Sequence, residues 1–234
     1  MEDGFVEVID RRGIVKSLIS DKNGTTVQGK AYQDCYYNNY KEYDWLFFFD
    51  IDEFISLDYK YSDIFEFLND FNDFDGIKVQ WRMYGDNGEL FYENKPVIER
   101  FGGKDNVGYD NHIKSILKGK SYSFELIFCA HGLLNTEIVT VNVNKKRIKS
   151  PYMDSKAYNN LPVYLNHFYS KSTEEFIKRK YNQTSAISGE DNTRNFSLNF
   201  IKNQYFEYNK YTKEKESMFN SIKEQKIKKI IKLF

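Results

Sequence analysis

The 234-residue sequence predicts one α/β domain with a helical tail, and three observations predict it. Between Trp45 and Trp81 an apolar strand, an amphipathic helix and a second strand follow one another within about 35 residues. The strand-prone runs beyond them alternate with Gly and Asn turns, and no Pro/Gly/Ser-rich linker or internal repeat divides the chain. With 41% apolar residues, 20 Phe, 19 Tyr and 2 Trp, the chain can bury roughly 70% of its unfolded surface, which excludes a disordered or fibrous protein.

Phe5, Val6, Val8 and Ile9 alternate with acids and read as a short strand, followed by a polar loop through Asn23-Gly24. From Gln28 to Glu42, Ala31, Tyr32, Cys35, Tyr36 and Tyr40 recur at intervals of three and four, giving a helix that buries Cys35 in its apolar face. Trp45–Phe49 is continuously apolar and too short for a helix, so it reads as a central strand buried on both faces. Ser62–Phe71 repeats the helical spacing through Ile64, Phe65, Phe67, Leu68 and Phe71, and Gly76–Trp81 returns as a strand. Between Tyr84 and Pro151 the helical period fades into β-prone runs at Pro96–Phe101, His112–Leu117, Phe124–Cys129 and Glu137–Val143. Leu161–Leu165 reads as a strand ending near His167, and Ser172-Thr-Glu-Glu175 is a capping box that opens a helix. Lys213–Phe234 sets Phe219, Ile222, Ile227, Ile230, Ile231 and Phe234 on one side and carries seven lysines against three glutamates. Packing on the domain is the expected role of this tail, with contact to an anionic membrane secondary.

The 34 basic and 34 acidic side chains cancel, so no global field draws the protein to nucleic acid or an anionic surface. Cys35 and Cys129 are too few for a disulfide framework. The charged N-terminus resembles no signal peptide, and no window reaches about 18 apolar residues. A soluble, cytoplasmic protein is expected, with peripheral membrane contact at most.

The sharpest local feature is Phe49-Asp50-Ile51-Asp52-Glu53-Phe54, three acids at the end of an apolar strand. Strand alternation would direct Asp50 and Asp52 to one side and Ile51 and Glu53 to the other. Ligands of open α/β sheets bind at the carboxyl ends of strands. Two converging carboxylates without a fixed basic neighbour repel each other, and a hard divalent cation with oxygen ligands relieves the repulsion. The plainer reading is that both acids cap the next helix or face solvent. A haloacid-dehalogenase phosphatase would carry Thr or Val where Phe54 stands, and a nuclease would need a basic patch to hold a phosphate backbone, so no nucleic-acid partner is expected.

A resemblance extends over residues 24 to 182. Gln28-x-x-Ala31-Tyr32-x-x-Cys35, Trp45-Leu46 and Asp50-Ile51-Asp52-Glu53-Phe54 come first. Trp81, Tyr84-Gly85-Asp86-Asn87-Gly88, Pro96–Phe101, Lys114-Ser115-Ile116, His131 and Asn166–Phe176 then follow in order. Together they resemble the GT-A glycosyltransferases related to families 2 and 92. The resemblance implies a GT-A-like (Rossmann-like) mixed sheet flanked by helices, a catalytic domain over 1–182 and a helical extension over 183–234 packed on it. It also implies a nucleotide-sugar donor, a glycan or lipid-linked acceptor, Mn²⁺ or Mg²⁺, and inversion at the transferred carbon. Asp50, Asp52 and His167 would hold the metal, and Asp86 would be the general base, ahead of Glu99 and Asp110. Gln28, Glu53, Trp81, Lys114 and His131 would contact substrate. Composition alone would make Lys114 a solvated strand lysine, Trp81 and His167 core residues, and Gly85–Gly88 a turn. The family's nucleotide-binding strand and helix normally precede the Gln-x-x-Ala-Tyr block by more than the 27 residues found here, so the resemblance is to an N-terminally truncated domain. The rival reading is a non-catalytic remnant that binds glycan or a partner chain.

Overall fold

The computed structural model describes residues 27–103, 107–135, 137–150, 152–182 and 198–221. The expected strand Phe5–Ile9 and the tail from Ile222 onward lie outside them. Within them the chain is mixed α/β. In order it forms α1 (Val27–Asn39), β1 (Trp45–Phe48), β2 (Glu53–Leu57), α2 (Ile64–Asp70), β3 (Gly76–Tyr84) and α3 (Val97–Phe101). β4 (Val107–Lys118), β5 (Thr140–Asn142), β6 (Val163–His167), α4 (Thr173–Asn182), α5 (Leu198–Phe206) and α6 (213–221) follow.

The six strands make one sheet in the order β1-β4-β3-β6-β2, with β5 pairing beside β3. β3 runs antiparallel to β4 and parallel to β5 and β6. Successive side chains of the central strands enter opposite cores. Ile77, Val79 and Ile116 meet Phe67 and Phe71 of α2 on one face, while Leu117, Leu46 and Phe48 meet Tyr36 of α1 and Phe128 on the other. A third cluster joins α4, α5 and α6 through Phe176, Ile201, Tyr205 and Phe219. No helix among the described residues is long and apolar enough to cross a membrane.

The sheet is curled, and the connection from β1 to β2 shows why it must be. These strands occupy opposite ends of the strand order, roughly 19 Å apart if the sheet were flat at about 4.8 Å per strand. Only residues 49–52 join them, and the amide of Glu53 donates to the carbonyl of Asp50 at 3.0 Å, closing a turn. A chain that turns cannot also span that distance, so the strand ends approach over the middle of the sheet.

Several expectations are corrected here. Trp45–Phe49 supplies an edge strand, not a central one: β1 pairs with β4, and Phe47 is 39% exposed. Only the Leu46 and Phe48 side is buried while Phe47 stands partly exposed on the other, so a continuous apolar run fixes neither the covering of both faces nor how many strands flank it. Glu53–Leu57, not foreseen as a strand, pairs with β6. Pro96–Phe101 forms helix α3, with Pro96 at its N-cap, where a missing N–H costs nothing, and the buried Arg100 bound to Glu89 and Glu175. Phe124–Cys129 yields an isolated bridge, Phe128 to Leu133, and Glu137–Val143 shrinks to β5. Cys35 is exposed; the buried stripe of α1 runs through Gly29 and Tyr36 instead.

Candidate active site

The turn at residues 50–52 carries the acids, and its geometry differs from strand alternation. Ile51 stands 99% exposed at the tip while Glu53 is buried. The period of two holds only along extended backbone, and the turn breaks it between these residues.

Asp50 is held from two sides. α1 brings Gln28 Nε2 to 2.5 Å and the Tyr32 hydroxyl to 3.2 Å of its Oδ1. β4 brings the ammonium of Lys114 to 3.0 Å of Oδ2. Gly29 permits this approach of α1, because a Cβ there would meet the Phe128 carbonyl oxygen at 2.2 Å. Lys114 is 1% exposed and also donates to the Ala130 carbonyl at 2.9 Å, so the solvated-lysine reading fails. Burial, with the Asp50 charge beside it, pushes the Tyr32 hydroxyl above the usual phenol range.

Asp52 is held from the other half of the sheet. Its partners are His167 Nε2 at 3.9 Å, Lys171 Nζ at 3.6 Å and Arg179 Nη1 at 3.3 Å. His167 closes β6 opposite Glu53. The capping box forms as the sequence predicts: Ser172 Oγ donates to Glu175 at 2.6 Å and accepts from the Glu175 amide at 3.3 Å. It starts α4, whose last turn carries Arg179. The expectation that the acids lack a fixed basic neighbour is therefore corrected, since Lys114, Lys171 and Arg179 surround them.

Beneath the turn lies Trp81, ringed by all three histidines of the chain. Ring centroids stand 4.4 Å from His167, 5.2 Å from His112 and 5.4 Å from His131. Burial lowers His167 to about 4, and burial with the Lys114 charge lowers His131 to about 4, so both imidazoles are neutral at neutral pH. Burial raises Glu53 to about 7 against the opposing pull of Lys114. Among the described residues Glu53 Oε1, His167 Nδ1 and Trp81 Nε1 are buried without a hydrogen-bond partner. Unpaired buried polar atoms are costly, and three around one turn mark a place where a ligand would complete them.

By chemical type, the carboxylate oxygens of Asp50 and Asp52 and the neutral imidazole of His167, whose Nε2 faces Asp52 at 3.9 Å, are groups that can ligate a divalent cation. No group of three or more such ligands is gathered among the described residues, and Lys114, Lys171 and Arg179 already pair with the two acids.

The fold thus gathers Gln28, Asp50, Asp52, Glu53, Trp81, Lys114, His131 and His167 around one turn. Asp86 is set apart. It follows β3 in the expected turn, with Asn87 and Gly88 at positive φ, but the C-terminal helices cover it. Asp86 is 1% exposed, its Oδ2 lies 2.5 Å from Lys215 and accepts from the Tyr205 hydroxyl, and its Oδ1 accepts from the Gly88 amide at 2.9 Å. Asp110 is engaged by His112 and Tyr208, and Glu99 lies exposed on α3. Sequence reasoning gave no role to Tyr32, Lys171 or Arg179. The capping box fixed where α4 begins, but nothing local ties Arg179 to an acid 127 residues earlier.

The family model for glycosyltransferase family 92 matches residues 20–149, more than half of the chain. That span holds Asp50, Asp52, Trp81, Asp86 and Lys114 and stops short of His167, Lys171 and Arg179. No curated protein matches the sequence.

Proposed function

The chain belongs to glycosyltransferase family 92, and from that premise we propose that the Asp50–Asp52 turn is its transfer site. The reaction moves a sugar from a nucleotide-sugar donor to a glycan or lipid-linked acceptor, with inversion, on a GT-A-like sheet. In this reading residues 1–182 would be the catalytic domain and 183–234 its C-terminal extension. The observation that carries the reading is the buried, unpartnered set of Glu53 Oε1, His167 Nδ1 and Trp81 Nε1 around two cation-flanked acids.

Bound at Asp50, Asp52 and His167, Mn²⁺ or Mg²⁺ would supply Lewis-acid neutralisation of the donor diphosphate. Lys114 and Gln28 keep Asp50 fixed for that purpose, because a preset polar frame needs no reorganisation when charge moves. Trp81, walled by imidazoles, offers a rigid face for a sugar ring. An acceptor hydroxyl oxygen attacks the anomeric carbon, the bond to the diphosphate oxygen breaks with its electron pair on the leaving group, and the acceptor proton passes to a carboxylate. Asp86 was the base expected from sequence, yet it would first have to leave Lys215. Glu53, beside Asp50 and with Oε1 unengaged, takes that role in the present proposal.

The test is release of nucleoside diphosphate from a panel of UDP- and GDP-sugars, with Mn²⁺ or Mg²⁺ and mixed glycan acceptors. Consumption of one donor by the wild type and its loss in Asp52→Asn is the expected result. Donor binding without turnover would favour the non-catalytic reading, and neither binding nor turnover would end the transferase reading for this site.

A further inference from the structure

The segment from β6 into α4 lies beyond the residues that the family model matches, and it delivers an excess of positive charge to the acidic turn. Lys171 Nζ and Arg179 Nη1 both converge on a single atom, Asp52 Oδ2, at 3.6 and 3.3 Å. Ionised pairs of optimal geometry close to about 2.7–2.9 Å. Two cations sharing one oxygen at longer range are not satisfied by it. Among the described residues neither forms another salt bridge, and their side chains remain 29% and 31% exposed. The guanidinium of Arg179 is fixed independently: Nη2 donates to the Tyr169 carbonyl, and the group lies 5.0 Å over the Tyr169 ring. Lys171 adopts φ +53, a left-handed conformation that an ordinary side chain avoids and that tends to persist where a site requires it. Lys180, 4.8 Å over the same Tyr169 ring, adds a third cation nearby.

We propose that Lys171 and Arg179 form an anion cradle for the donor diphosphate, gripping it on binding and taking up the charge it gains on departure. The inference rests on the transfer site proposed above and adds these two residues to it. When the anomeric C–O bond breaks, its electron pair stays on the diphosphate and adds one negative charge. The new bond forms to the acceptor oxygen, whose proton goes to Glu53. Two preset cations beside the leaving oxygen stabilise that charge more than the ground state, which is what accelerates the step. Asp52 has a second function in this arrangement, holding both cations in place before the donor arrives.

Direct binding separates this from a purely structural role. UDP, GDP and inorganic pyrophosphate are titrated calorimetrically into the wild type, Arg179→Gln, Lys171→Gly and, as a control on the same helix, Lys178→Ala, each with and without Mn²⁺. The wild type should bind at least one nucleotide, with affinity falling as salt is added. Arg179→Gln and Lys171→Gly should each weaken binding about tenfold or more, the usual scale for a charged hydrogen bond, and Lys178→Ala should not. Lys171→Gly should keep or raise Tm, since glycine accepts the positive φ without strain; this separates loss of binding from loss of fold even if Arg179→Gln is poorly folded. Nucleotide affinity unchanged in both variants, with or without Mn²⁺, overturns the cradle while leaving the transfer site standing. Failure of the wild type to bind any of the three probes overturns both.

Discussion

At the scale of single residues, burial and pairing decide what each charge can do. Asp50 and Asp52 sit among fixed cations, yet with the neutral imidazole of His167 turned toward Asp52 the proposed site makes a divalent cation a native-state ligand. Mn²⁺ is therefore expected to raise Tm, and Asp52→Asn to abolish the rise; equal responses in both proteins would make the acids purely structural. For the base, Glu53→Gln should lower turnover by roughly 10²–10⁴-fold, the contribution of a positioned proton acceptor. Asp86→Asn should leave turnover far closer to wild type, and the reverse ranking in a steady-state assay would return the role to Asp86. Lys78 shows the opposite economy: it is buried, donates to the Ser150 carbonyl at 2.7 Å, and burial lowers it to about 8. Between pH 8 and 10.5 the folded state then binds fewer protons than the unfolded chain, so stability contributed by this site rises with pH across that window. Lys78→Met should stabilise at pH 7 by up to about 3 kcal/mol and remove the rise. Urea unfolding of both proteins at pH 7 and pH 10 checks it, and parallel pH profiles would refute it.

At the scale of elements, one short local device and one long-range tie aim the site. The Ser172–Glu175 capping box starts α4, and Glu175 also accepts from the buried Arg100 at 2.9 Å, tying α4 to α3. Ser172→Ala should cost about 1 kcal/mol by urea unfolding, the usual effect of losing an N-cap. A larger loss would mean that the serine supports more than its helix. This box was legible in the sequence because capping is settled within four residues. So was β6 ending at His167, and so was the helix packed over the sheet through Phe67 and Phe71. The sequence could not show that residues 53–57 form a strand, because their pairing partner, residues 163–167, lies more than 100 positions further along the chain, and each side of the ladder looks locally unremarkable without the other. The acids consequently read as the end of one strand when they are the turn between two.

For the whole molecule, the C-terminal helices are bound to the sheet through a buried polar hub. Lys215 of α6, 2% exposed, pairs with Asp86, while Tyr205 of α5 bonds both Asp86 and Thr173 at the start of α4. Breaking one partner of a buried pair leaves an uncompensated charge, so Lys215→Met should cost about 3–5 kcal/mol. Adding Asp86→Asn should recover most of that, because asparagine removes the charge, keeps one oxygen to accept from the Gly88 amide, and can turn its amide to the Tyr205 hydroxyl oxygen while that hydroxyl donates to Thr173. Failure of the double variant to recover would show that α6 is held mainly by Phe219 and its apolar neighbours. The part of the tail within the described residues packs as the amphipathic pattern predicts, through Phe219. By itself the sequence determined the α/β class, most helices, the β3 and β4 strands and the acidic motif, since period, capping and turn chemistry act within a few residues. Only the tertiary structure decided that β1 lies at an edge, that Lys114 is buried against Asp50, that Asp86 belongs to the C-terminal hub, and that Lys171 and Arg179 reach Asp52. Each of those is a meeting of residues far apart in the chain, fixed by the curl of one sheet and the covering of its faces, and no local pattern encodes it.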